Sequence, residues 1–227
     1  MVVTHNFLHC PFFKAAWLNR VFPLFNSANL LLPQVLYKHH HLIHHSHNND
    51  RYQAKCEHGH TMDPSSTYRF GKQGQQEAMW RYCAFSLFRD STGFAYRQAL
   101  KKKEFSQFVG ELLTIIAFIV LLLWIDWQWF LWFYLPTFYF GWFLAHMENY
   151  YEHYRAIEPD NKYANSVSYY GVWYNICMFN EGYHQEHHIH PGKHWSERPV
   201  LRERHSKNMQ ENGAYQARFP PLLGFFD

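Results

Sequence analysis

FSQFVGELLTIIAFIVLLLWI, Phe105–Ile125, decides how the rest of the chain is read. A helix over this stretch runs about 31 Å at 1.5 Å per residue, which matches a bilayer's hydrocarbon core. Not one Lys or Arg occurs from Glu104 to Tyr154, whereas Arg97, Lys101, Lys102 and Lys103 stand immediately before it. Trp124, Asp126, Trp127 and Trp129 read as an interfacial turn, because amphipathic rings favour that level. A second span, roughly Trp129–Asn149, contains Pro136 and Gly141, both tolerated in membrane helices. Both stretches are apolar all round, which disfavours a half-buried soluble hairpin. Glu111 is a cost to this reading. Cations flank both outer ends and are absent from the turn, so the positive-inside rule places the turn outside and the remaining chain on the cytosolic side.

Composition fits this division. The mean hydropathy of −0.42 averages an apolar middle with polar, histidine-rich flanks. A net charge of +3 without a long basic tract gives no reason to expect nucleic acid. Cys10, Cys56, Cys83 and Cys177 are scattered and read as reduced cytosolic thiols, not a disulfide framework. No basic segment followed by an apolar core marks a secretory signal at the start. Residues 11–37, interrupted by Pro23 and Pro33, fit an amphipathic helix at the membrane interface better than a span.

The flanks carry three histidine runs. His5-x-x-x-His9 places two imidazoles on one helical face. His41-x-x-His44-His45 recurs in spacing as His184-x-x-His187-His188, within Asn180–Pro191. In the second run His39, His40 or His47 can substitute, and His190 lies outside the repeated spacing. Crowded imidazoles disfavour their charged forms, and neutral imidazole suits iron, zinc, copper and nickel. One such run reads equally well as a metal-sticky surface tract; the shared spacing does not. At the end of the second span His146, Asn149 and His153 share a helical face. Cys56-x-His58-x-His60 lacks a fourth ligand for structural zinc.

Eight histidines in three runs are too many for one ion and suit two. The chain has no H-E-x-x-H zinc helix. Only Glu181-x-x-His184 has the E-x-x-H form of which soluble di-iron carboxylate proteins need two. Nitrogen-rich ligation without thiolate favours iron used with dioxygen. Glu152, Glu181 and Glu186 are the candidate carboxylates behind the imidazoles.

With these motifs in order around the apolar hairpin, the chain resembles the membrane fatty acid desaturase and hydroxylase superfamily, nearly end to end. The resemblance implies an all-α integral membrane protein with one transmembrane hairpin and a cytosolic helical cap carrying a two-metal site. It implies one domain over 1–227, divided into 1–48, 49–104, 105–149 and 150–227. It implies metal ligands His5, His9, His41, His44, His45, His184, His187 and His188. Stearoyl-CoA desaturases add a histidine after the last span and, four residues earlier, an asparagine that holds a metal-bound water; Asn149-x-x-x-His153 matches that pair. The implied chemistry is oxidation of a fatty acyl or lipid C–H bond by two non-haem irons, O2 and an external electron donor such as ferredoxin, rubredoxin or cytochrome b5. No fused donor domain is visible; His190-Pro191-Gly192 is similar to part of a cytochrome b5 haem motif, but nothing around it is long enough to form that domain. Desaturation is the leading expectation, with a hydroxylase, a ketolase, an alkene-forming relative or a non-catalytic metal-binding protein as alternatives. The family places a membrane hairpin before the first box and four residues precede His5 here, so a shortened form or fragment of reduced activity is expected.

Overall fold

A computed structural model describes residues 1–51, 61–89, 92–156 and 160–227. These residues are helical, with one isolated β-bridge between Ser168 and Gln216. The elements are α1 Val2–His9, α2 Ala16–Leu30, α3 Gln34–His47, α4 Met79–Arg89, α5 Thr92–Lys101, α6 Phe105–Trp129, α7 Leu135–His153, α8 Val172–Cys177, α9 His184–Ile189 and α10 Arg198–Glu211. The Cys56, His58, His60 group lies outside the described residues. Cys10, Cys83 and Cys177 are free thiols.

The break between α2 and α3 is made by Leu31, which takes a left-handed φ of 46°, and by Pro33, which cannot continue a helix. The new helix opens with unpaired backbone N–H groups. Ser27 Oγ accepts from Gln34 N at 2.8 Å and Glu111 Oε2 accepts from Val35 N at 2.9 Å. Gln107 Nε2 donates to the other Glu111 oxygen at 2.8 Å. The acidic residue that counted against a membrane-spanning α6 is therefore a buried cap on a helix N-terminus, where the helix dipole favours negative charge. Val35, Leu36, Ala95 and Ala99 then pack α3 against α5. Tyr82, Cys83, Met147 and Tyr150 pack α4 against α7.

The run Phe105–His153 is long and apolar enough to cross a membrane, and only 11% of its most apolar window is buried within the protein. Outward-facing Leu113, Val120, Trp124, Trp132 and Phe140 make it a poor soluble core helix. The run is not straight. Asp126 is extended (φ −162°, ψ 98°), and its Oδ1 accepts from Gln128 N at 3.0 Å and Trp129 N at 2.9 Å. Asp126 thus ends one helix and N-caps the next. The rings of Phe118 and Tyr134 lie 6.1 Å apart, whereas a straight helix would separate residues 16 apart by about 24 Å. The axis bends back at Asp126. A π-helical turn, Phe130–Tyr134, follows.

At the C-terminus the turn Pro221–Phe226 docks on the end of α7. A Cβ at Gly224 would fall 2.3 Å from the Tyr151 ring, so only glycine allows this approach. Arg155 Nη2 donates to Asp227 O at 2.9 Å, tying the tail down.

Candidate metal centre

The packing of α3 against α9 sorts the histidines. In α3 and in α9 the first and third members of H-x-x-H-H are four residues apart and share a face, while the middle one points elsewhere. His41 and His45 of α3 join His5 and His9 of α1 and His187 of α9 in one group. His44 of α3 joins His153, at the end of α7, and His184 and His188 of α9 in a second. Within each group one ring nitrogen from every member lies within 4.8 Å of the others. The two groups adjoin: the rings of His45 and His188 are 4.5 Å apart.

The facing atoms are Nε2. Pairs stand at 2.7 Å (His9–His41), 2.9 Å (His41–His45), 3.0 Å (His5–His187 and His45–His187), 3.1 Å (His184–His188) and 3.3 Å (His153–His184). A neutral imidazole has one N–H. His5 Nδ1 lies 2.6 Å from Glu181 Oε1 and His44 Nδ1 lies 2.8 Å from Asp63 Oδ2, so each donates there and turns an Nε2 lone pair inward. The His44 Nε2 is buried without a partner. His184 Nδ1 sits 3.5 Å from Glu152 Oε1. Converging lone pairs in a buried space are costly unless a cation fills them. Two nitrogens each about 2.1 Å from one ion are about 3.0 Å apart at right angles and about 3.4 Å apart in a tetrahedron. The observed spacings fit that donor set.

Burial holds the rings neutral. Desolvation first, and the neighbouring histidines with it, lowers His41, His45, His184 and His188 well below the usual imidazole value; for His187 burial is again the main cause, with Arg198 next. His9 is brought down to about 3 by burial, then by His5 and Arg198. Burial opposes the charge of Asp63, but His44, with hydrogen bonds from Ser65 and Asn49, outweighs it and keeps the carboxyl below its normal range. Glu181 is held low in the same sense by His5 and Arg198 against its own burial.

The neighbouring histidines take other roles. His39 Nε2 pairs with Glu104 Oε2 at 2.8 Å, His47 contacts Ser46, and His190 faces His205 at 3.0 Å. His146 lines the adjoining cavity without entering either group. Asn149 Nδ2 donates to Tyr82 Oη at 2.7 Å, and the residue lines the same cavity. Glu186 differs from the expectation of a carboxylate behind an imidazole: it accepts from Ser168 Oγ at 2.8 Å and Tyr170 Oη at 2.7 Å, and ties α9 to the segment before α8. Sequence reasoning missed Asp63, whose only signal was an Asp-Pro turn in a polar segment, and Arg198, which carried none.

The cavity reaches both groups: its lining includes His5, His41, His44 and His184 together with Leu32, Leu36, Trp142 and Ala145. An all-helical chain with two converging imidazole groups beside an apolar helical run defines a membrane-associated, metal-binding class. A family model described as fatty acid desaturase matches residues 1–220. The chain belongs to the fatty acid desaturase family. No curated protein and no solved structure matched it.

Proposed function

We propose that this chain is a di-iron, O2-dependent lipid oxidoreductase that introduces a double bond into a fatty acyl chain. The observation that supports it most is the meeting of nine imidazoles, from three distant segments and the end of α7, four of which line a cavity shared with Leu32, Leu36, Trp142 and Ala145. Iron held by these residues would supply dioxygen activation and hydrogen removal from an unactivated C–H bond; overall a saturated –CH2–CH2– segment, one O2, two electrons from the donor and two protons give –CH=CH– and two waters. His5, His9, His41, His45 and His187 hold one ion; His44, His153, His184 and His188 hold the other. Glu181 and Asp63 fix the ring tautomers by accepting from Nδ1. Asn149, anchored on Tyr82 one helical turn before His153, holds a water beside the second group. Leu32, Leu36 and Trp142 exclude water and lay the acyl chain across the metals, and small changes in that placement separate alkene from alcohol products.

In this reading α6 and α7 form a hairpin through the membrane. The return at Asp126 and the absence of Lys and Arg from 104–154 support it, with the histidine groups on the cytosolic side. Electrons come from a separate carrier of the ferredoxin, rubredoxin or cytochrome b5 type. The test is metal analysis of detergent-purified protein with product analysis of lipids from an expressing host. Two irons per chain and new unsaturation are expected, with His44→Ala losing one iron and the unsaturation. Zinc loading that tolerates His44→Ala, or alcohols in place of alkenes, would overturn the assignment.

A further inference from the structure

Outside the imidazoles, the most completely buried large side chain at the centre is a cation. Arg198, at the start of α10, is 1% exposed. Its guanidinium makes four contacts with three parts of the chain. Nη2 donates to Asn6 Oδ1 on α1 at 2.7 Å. Nη1 donates to Glu181 Oε2 at 2.9 Å and Asn180 O at 3.2 Å. The longest contact, 3.3 Å, is from Nη2 to His187 Nδ1. The other Glu181 oxygen accepts from His5 Nδ1 at 2.6 Å. Arg198 and Glu181 together tie α1 to the segment leading into α9.

The two metal groups depend on that tie unequally. Two of the five histidines in the first group, His5 and His9, sit on α1, a helix of 8 residues. None of the four in the second group does; they come from α3, α7 and α9. An isolated helix this short is not stable by itself, so α1 needs an external anchor to present its rings. We infer that Arg198 is a positioning residue chiefly for the five-histidine group, locking α1 in register with His187. The four-histidine group meets the tie only where His184 Nδ1 stands 3.9 Å from Glu181 Oε1. The planar fork matters: a guanidinium reaches Asn6 and Glu181 at once, which a lysine ammonium does not do with the same geometry.

This inference rests on the two-metal reading, and the experiment separates their failures. Full-length protein in detergent is titrated with Co(II), followed by visible absorption and metal analysis. Wild type is expected to bind two ions; fewer than two would overturn the two-metal reading itself. Arg198→Met is expected to retain one ion, with affinity for the other lowered about tenfold to a hundredfold. In a His44→Ala background Arg198→Met should weaken the remaining site by the same tenfold to hundredfold, and in a His9→Ala background it should leave the four-histidine ion within a few-fold of its affinity. Arg198→Lys should restore affinity in part, and Asn6→Ala, which leaves the Arg198–Glu181 pair intact, should weaken the same ion only. If Arg198→Met does not fold, those last two variants decide. Retention of two tight ions, or equal weakening of both, would overturn the assignment.

Discussion

The five-histidine and four-histidine groups use the same donor atom and differ in what holds it. His44, His153 and His184 of the second group are buried and His188 partly so, whereas in the first only His5 and His187 are buried and His9, His41 and His45 are half-buried. The second group is built on α3, α9 and the end of α7, and is braced by carboxylates: Asp63 behind His44 and Glu152 beside His184. The first borrows two rings from a short helix and keeps them through one carboxylate and one buried cation. Chemically equal ligands thus stand on supports of unequal stiffness. Preorganised donors lose less freedom on binding, so the four-histidine group should fill first.

The largest expected effect breaks the comparison outright. His187→Ala and His44→Ala should each remove one metal and nearly all activity, while leaving the other metal in place, as metal analysis of the two proteins would show. Loss of both metals in both variants would mean a single shared site.

Acid should separate the groups next. In the first group His9, His41, His45 and His187 and in the second His184 and His188 are depressed in the folded state, chiefly by burial, His9 to about 3, against about 6.5 in an unfolded chain. Below about 6.5 the unfolded chain therefore takes up protons that the folded chain refuses. Stability and metal affinity present above that pH are lost as it falls toward 3. The half-buried group should release its metal first in a pH titration of bound Co(II). Simultaneous release would remove the distinction in stiffness.

Much of this was legible in the sequence, and the reason is range. The i, i+3, i+4 spacing that gathers His41, His44 and His45, or His184, His187 and His188, is local, and so is the turn signalled by Trp124–Trp129 around Asp126. The sharing of each run between two groups was not legible, because it depends on how α3 and α9 face each other. Nor were the supports. Asp63 lies 19 residues from His44, and Arg198 lies 192 from Asn6; a single polar residue in a polar segment has no periodicity to betray it. Glu111 shows the opposite case. Its sequence context made it a liability, and only the fold supplied the helix N-terminus that it caps.

Asp63→Asn sharpens the contrast at intermediate size. The amide keeps the shape but loses the charge that His44 Nδ1 faces at 2.8 Å. Affinity of the four-histidine group should fall about tenfold to a hundredfold, with the five-histidine group unchanged, the mirror image of Arg198→Met.

Tyr82→Phe should have the smallest effect. The Tyr82 hydroxyl donates to Ser65 O at 2.7 Å and accepts from Asn149 Nδ2 at 2.7 Å, and Ser65 in turn contacts both Asp63 and His44. Removing one oxygen leaves Asn149 with only a 3.5 Å contact to Ser65 O, at a cost of about 1 kcal/mol for the lost hydrogen bonding. Asn149 stands one turn before His153, so a graded fall of a few-fold should reach the four-histidine group and spare the five-histidine one. Calorimetric titration of both ions in this variant measures how far support extends behind the ligands. An unchanged second ion would place the boundary of that support at Asp63 and make Asn149 a cavity residue whose effect is on turnover alone.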